Sequence, residues 1–325
     1  MALALTPEAR ADAQPRDAEA PFMALRALDQ RLADIAERLA VSNLPLCADR
    51  QVRPGFSLHD LSQYEAALRP AAIRAFGLDA GPGIFTLAAA GPAERGGLRL
   101  GDVVRTIDGA SLVNAAALPP RGGYQRMAQI HGLVEGAFAD GRATLGIRRG
   151  GADLSVTVIG AEGCASRFEI IPGGRLNASA DGRYVQVTVA LAQYAADAQE
   201  LAAVVAHEFA HNILRHRVRL DAAGIQRGLF GNFGRNARLI RETELEADRL
   251  APYLLDRAGY DPDAMVRFWR RFGNRGFNIF GSPTHGGWGR RSEAIQAEIV
   301  RIRQARAAGR VPAPAFVSLP LPPAS

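Results

Sequence analysis

The chain contains no lysine: its 39 basic residues are all arginine, set against 33 acidic residues for a formal charge of +6. A nucleic-acid binder needs its cations clustered on one face or interleaved with aromatics. Here the arginines are scattered among Asp and Glu, the pattern of a solvated surface, so nucleic acid is not an expected partner. Peripheral contact with an anionic membrane surface stays open. Long apolar runs are also missing. The best candidates, such as Leu201 to Ala206, fall far short of the roughly 18 residues that cross a bilayer, and no transmembrane segment is expected. Met1 to Arg10 holds only a short apolar opening before Thr6 and Pro7, so no signal peptide is visible.

Cysteine is almost absent. Cys47 and Cys164 lie far apart, and neither has a Cys or His neighbour at metal-ligand spacing, which excludes a cysteine metal site. They are either two buried thiols or one disulfide joining the entry and exit of the domain between them. A disulfide would place the chain in an oxidising compartment, in a bacterium the periplasm or cell envelope, after loss of a signal peptide. Free thiols would leave the cytoplasm as the alternative.

What is present is enough for two cores. At 325 residues and 48% hydrophobic content, two globular units with tails are expected. Residues 1–21 read as a disordered leader of Ala, Pro and charge. Residues 22–46 carry Leu25, Leu28, Leu32, Ile35 and Leu39 at helical spacing, the stripe of an amphipathic helix. Residues 47–164 form a first domain, 165–309 a second, and 310–325 a proline-rich tail.

In the first domain a strand from Ile84 precedes the turn Gly96-Gly97-Leu98 and the segment Gly101-Asp102-Val103-Val104-Arg105-Thr106-Ile107-Asp108-Gly109. A helix over Tyr124 to Phe138 follows, then two alternating runs, Ala143 to Arg148 and Leu154 to Ile159, joined by Arg149-Gly150-Gly151 as a hairpin. This order resembles the PDZ domain as arranged in bacterial proteases. The resemblance implies a groove in which the C-terminus of a peptide adds as a strand, its carboxylate on backbone N–H groups near Gly83, Ile84 and Phe85. A closed groove, with the module acting as a spacer, is the other reading.

In the second domain Phe168 to Ile171 and Tyr184 to Val189 read as strands. Asp197, with Glu200 three residues on, opens an apolar helix that carries His207-Glu208-Phe209-Ala210-His211. Two histidines at i and i+4 lie about 40° apart on a helix, so both imidazoles reach one zinc ion, and Glu208 beside them is placed to act as general base. A catalytic zinc needs a third protein ligand. His216 would be turned about 140° from His211 on a continuing helix and is read as structural or exposed. Glu244 and Asp248, which share one face of a later helix, are better placed.

Here the chain resembles the soluble, BepA-like branch of the HtpX and CAAX-prenyl-protease zinc metallopeptidases, whose signature is HExxH followed by an ExxAD helix. The resemblance implies one Zn2+ per chain held by His207, His211 and Glu244, with Asp248 supporting the site and Glu246 a spacer. It extends to Thr284-His285 and Arg291, and in such enzymes the His and the Arg lie near the metal and can stabilise the oxyanion, while the His loop can also plug the site; Gly286 stands where the family has Pro, and Arg291 has a structural reading too, pairing with a helix acid. Asn177-Ala178-Ser179 matches the family's substrate-pairing edge strand.

The fold expected is α+β, a PDZ-like β-barrel followed by a mostly helical gluzincin metallopeptidase domain with a small β-sheet. The function expected is zinc-dependent endoproteolysis of misfolded or envelope proteins in quality control, with protein or peptide substrates as partners. The rival is a binding protein whose zinc is structural and whose site is shut by the Gly-rich stretch around Gly231 or by the His285 loop.

Overall fold

A computed structural model of the chain describes residues 19–113, 117–225, 234–273 and 288–315. They fall into two compact units, one drawn from Met1–Gln30 and Val52–Ala161, the other from Arg31–Gln51 and Glu162–Ser325. The amphipathic stripe does form a helix, α1 (Glu19–Ser42), which begins and ends a few residues before the expected one and has its two halves in different units. The chain then runs out along β1 (Arg50–Arg53) and later returns along β8 (Ala161–Cys164), its partner in a two-stranded ribbon. Cys47 and Cys164 are joined as a disulfide in the second unit.

In the first unit come β2 (Phe56–His59), α2 (Arg69–Phe76), β3 (Gly83–Leu87), α3 (Pro92–Arg95), β4 (Val103–Ile107), β5 (Ala110–Ser111), α4 (Gln125–Ala137), β6 (Arg142–Arg149) and β7 (Ala152–Ile159). The strands make one antiparallel sheet in the order β2-β3-β4-β6-β7, with β5 added to β4. The expected hairpin is β6 and β7, paired from Arg142↔Ile159 to Arg149↔Ala152. Its turn is Gly150-Gly151, at φ 56 and 85, a conformation open to two glycines and costly for most other residues. Ile84, Val104, Ile107, Met127, Leu145, Ile147 and Val158 form the buried core.

The sheet departs from expectation in two ways. It is open and not a barrel, because β2 and β7 are its ends and do not pair. Closure requires each strand to send alternate residues inward, and only Val158 of β7 is fully buried. The strand expected to receive a peptide, with Gly83, Ile84 and Phe85, lies inside the sheet between β2 and β4. At its far end Leu87 gives its N–H to Oε1 of Gln30 and accepts from Gln30 Nε2 at 2.7 Å, so that end is covered as well. Among the described residues, the end strand on this side of the sheet is β2.

The second unit holds β9 (Arg167–Ile171), β10 (Ala178–Ala180), β11 (Tyr184–Thr188), α5 (Val189–Tyr194), α6 (Ala198–Ile213), α7 (His216–Ala222), α8 (Gly234–Arg257), α9 (Asp263–Gly273) and α10 (Trp288–Ala307). Its sheet has the order β10-β11-β9, with β9 parallel to β11 and β10 antiparallel. α6 starts where its cap residues dictate: Oδ1 of Asp197 accepts the Glu200 N–H at 2.9 Å, and Oε2 of Glu200 accepts from the Ala196 N–H. Leu201, Val205, Ala206, Phe209 and Ala210 are fully buried, so this helix is covered on nearly every side. A helix apolar all round belongs in a core, and α6 accordingly packs on α8, α9, β10 and β11.

Candidate metal centre

A buried helix carrying polar residues must satisfy them locally or desolvate them at a cost of several kcal/mol each for charged groups. Beyond the first turn of α6 those residues are His207, Glu208, His211 and Asn212, three of them buried and His211 half-buried. Asn212 is satisfied by the β-layer: its Oδ1 accepts the Gly182 N–H at 2.8 Å, and its Nδ2 donates to Ser166 and to the Tyr184 carbonyl. The histidines face α8 instead. Nε2 of His207 lies 3.3 Å from Nε2 of His211 and 3.4 Å from Oε2 of Glu244, and Nε2 of His211 lies 3.5 Å from Oε1 of Glu244. One ligand atom from each of these three side chains falls within 4.8 Å of the others.

The donor set can be tested against the ion it would hold. Zinc bonds to His nitrogen and carboxylate oxygen of about 2.0–2.1 Å, set tetrahedrally, separate neighbouring donors by roughly 3.3 Å. The Nε2–Nε2 distance matches that edge, each Nε2 has one oxygen of Glu244 at a similar distance, Oε2 for His207 and Oε1 for His211, and imidazole, imidazole and carboxylate leave one tetrahedral position for water or substrate. The residues fit a zinc ion.

The electrostatics agree. Burial opposes a charge on His207, yet Asp248 and Glu244 outweigh it and push the ring up to about 10. The spot between these carboxylates thus favours positive charge. Burial and the neighbouring His207 and His216 rings push His211 down to about 3 despite the opposing pull of Glu244, so that imidazole is neutral with a lone pair to give. Oδ1 of Asp248 stands 3.1 Å from Nδ1 of His207, on the side away from the donor cluster.

Asp248 is in turn gripped by Arg291 of α10, whose Nε and Nη2 donate to the two carboxylate oxygens at 2.5 and 2.8 Å. Arg291 is 5% exposed, its Nη2 is 3.7 Å from Glu244, and its guanidinium lies 5.1 Å from the Trp269 ring of α9. Burial would lower its pKa, but Asp248, Glu244 and Glu208 outweigh that and raise it. Arg291 thus pairs with a helix acid and also lies beside the ligand cluster. His285 and most of the Gly-rich stretch lie outside the described residues.

Two groups at the site were not anticipated. Trp269 packs edge-on to His207 with centroids 5.9 Å apart, and nothing in the residue pattern of α9 marks it. His216 was expected on the wrong side of a continuing helix. Instead α6 stops, Arg215 adopts φ 52, and α7 starts in a new direction. His216 is therefore buried, with Nδ1 2.9 Å from Nδ1 of His211 and Nε2 2.9 Å from Oε2 of Glu246. Burial would raise the Glu246 carboxyl, but His216 and Arg219 bring it down to about 2.

A model of peptidase family M48 matches residues 165–235, under a quarter of the chain. The stretch runs from β9 through α7 and includes His207, Glu208 and His211; Glu244 lies beyond it. The match supports the M48 metallopeptidase family for this unit. No curated protein matches the chain.

Proposed function

We propose that the protein is a zinc-dependent endopeptidase whose active site is His207, His211 and Glu244 as metal ligands with Glu208 as the catalytic base. The observation that carries this reading is the donor triangle of two Nε2 atoms and one carboxylate, with Glu208 following the first histidine on the same helix. A zinc ion held there would polarise the scissile carbonyl and make water acidic enough to attack near neutral pH. Glu208, buried beside the cluster, takes the proton of the attacking water and passes it to the departing amine. Asp248 holds His207, and Arg291 keeps Asp248 ionised and in place.

Substrate would enter as an extended chain. β10 is an end strand of its sheet, and backbone pairing along Ala178–Ala180 takes any unfolded segment without regard to side chain. This suits misfolded proteins. The first unit would act as a PDZ-like module for partners, and because β3 has neighbours on both sides, the peptide would add to β2, Phe56–His59, and not beside Ile84. The Cys47–Cys164 disulfide supports a periplasmic or envelope setting. No helix among the described residues is long and apolar enough to cross a membrane.

The test is cleavage of casein by zinc-loaded wild type and by Glu208→Gln, with zinc content measured in both. Cleavage by the wild type alone supports the proposal. Zinc-loaded wild type that cuts no unfolded substrate sinks it.

A further inference from the structure

His216 and Glu246 supply no atom to the donor triangle, yet both are tied to it. His216 opens α7 and is 2% exposed, and its two ring nitrogens each have a neighbour at 2.9 Å: Nδ1 of His211 on one side, Oε2 of Glu246 on the other. Elementary chemistry sets the direction of this chain. A carboxylate can only accept, so Nε2 of His216 carries the hydrogen, and the neutral ring then has its lone pair at Nδ1. That lone pair faces Nδ1 of His211, which must be the donor. Nε2 of His211 is thereby left as a bare lone pair, and it is the atom lying 3.3 Å from His207 Nε2 and 3.5 Å from Glu244. The opposite polarity would put a hydrogen on that atom and close it to a cation.

We propose that His216 and Glu246 are positioning residues that lock His211 into the tautomer presenting Nε2 as a ligand, an inference that rests on the metallopeptidase reading above. The two histidines are then oriented by the same principle over different distances. His207 meets the Asp248 carboxylate directly, whereas His211 meets that of Glu246 through an interposed imidazole. Arg219 donates to both oxygens of Glu246 and fixes the carboxylate's orientation. Partners of this kind govern metal affinity nearly as strongly as the ligands do.

The experiment measures zinc affinity by competition with a chromophoric chelator at one pH, for wild type, Glu246→Leu, His216→Phe and His216→Gln, with the melting temperature of each metal-free protein recorded alongside. Loss of the acceptor or of the relay should weaken zinc binding by roughly 10–100-fold in Glu246→Leu and His216→Phe. His216→Gln, whose amide can accept from His211 and donate to Glu246, should recover most of that loss. A merely structural role would lower the melting temperature and leave the affinity of the folded protein intact, and wild-type affinity in both impaired variants overturns the proposal. Glu246 is partly exposed, so Glu246→Leu serves if His216→Phe does not fold. Nitrogen-15 NMR of histidine-labelled, metal-free protein gives a second reading: a proton on Nδ1 of His211 is expected, and one on Nε2 overturns the inference. Wild type that binds no zinc defeats the metallopeptidase reading, and the NMR still decides the tautomer.

Discussion

Removing the Arg291 guanidinium should destabilise the second unit far more than removing any surface arginine. Asp248 is fully buried, and its two oxygens take Nε and Nη2 of Arg291. Arg291→Met keeps most of the side-chain volume but leaves a carboxylate in the interior without its principal donors. Breaking a buried pair from one side costs about 3–5 kcal/mol. At roughly 2–4 °C per kcal/mol for a unit of this size, the melting temperature should fall by about 6–20 °C. The assay is thermal and urea unfolding in the presence of chelator, so that metal binding adds nothing to either state. Arg238→Ala is the control: Arg238 is 76% exposed in its pair with Glu242, and the melting temperature should stay where it was. Arg291→Met/Asp248→Leu should recover most of the loss, since replacing both partners by apolar groups is often neutral. A loss below about 1 kcal/mol in Arg291→Met alone would refute the reasoning, because it would mean that Asp248 is solvated or satisfied without Arg291.

Metal ligation makes a sharper demand. His211→Ala and Glu244→Ala should each lose zinc through desalting while Glu208→Gln keeps it, as read by elemental analysis; zinc retained in both ligand variants would remove the assignment. Glu298 sets an acid limit away from the metal centre. Burial pushes its carboxyl up, but hydrogen bonds from Arg301, Arg249 and Tyr253 outweigh that and leave it below its ordinary value. A carboxyl depressed in the folded state adds stability above its unfolded pKa of about 4.3, and that stability goes as pH falls through the lower folded value. Glu298→Gln should therefore flatten the decline of melting temperature below about pH 4.5, and an unchanged slope would count against the network. The disulfide closes 117 residues. Cys47→Ser/Cys164→Ser should lose about 2–4 kcal/mol of unfolding free energy, which denaturant titration detects.

The parts legible in the sequence are those whose cause is local. The Asp197 cap, the Gly150-Gly151 turn and the i, i+4 spacing of His207 and His211 each act within one element, and each is found where local chemistry puts it. The closed barrel is not formed, and the strand expected to take a peptide has sheet neighbours on both sides, because both features depend on who neighbours whom. Nothing within Gly83–Leu87 says that β2 will occupy its edge, although Gly55 followed by alternating Phe56 and Leu58 was a usable strand signal. The contacts of His216 were hidden for a further reason. Its expected direction assumed that α6 continues past His211, and the helix ends instead because Arg215 turns left-handed. Arginine gives no warning of that conformation as glycine or asparagine would. Counting residues along a helix fixes angles only while the helix lasts; beyond its end, the partner of a buried histidine is decided by where the chain re-enters. Here it re-enters beside Glu246, so a residue that looked like a spacer between Glu244 and Asp248 faces the relay to His211.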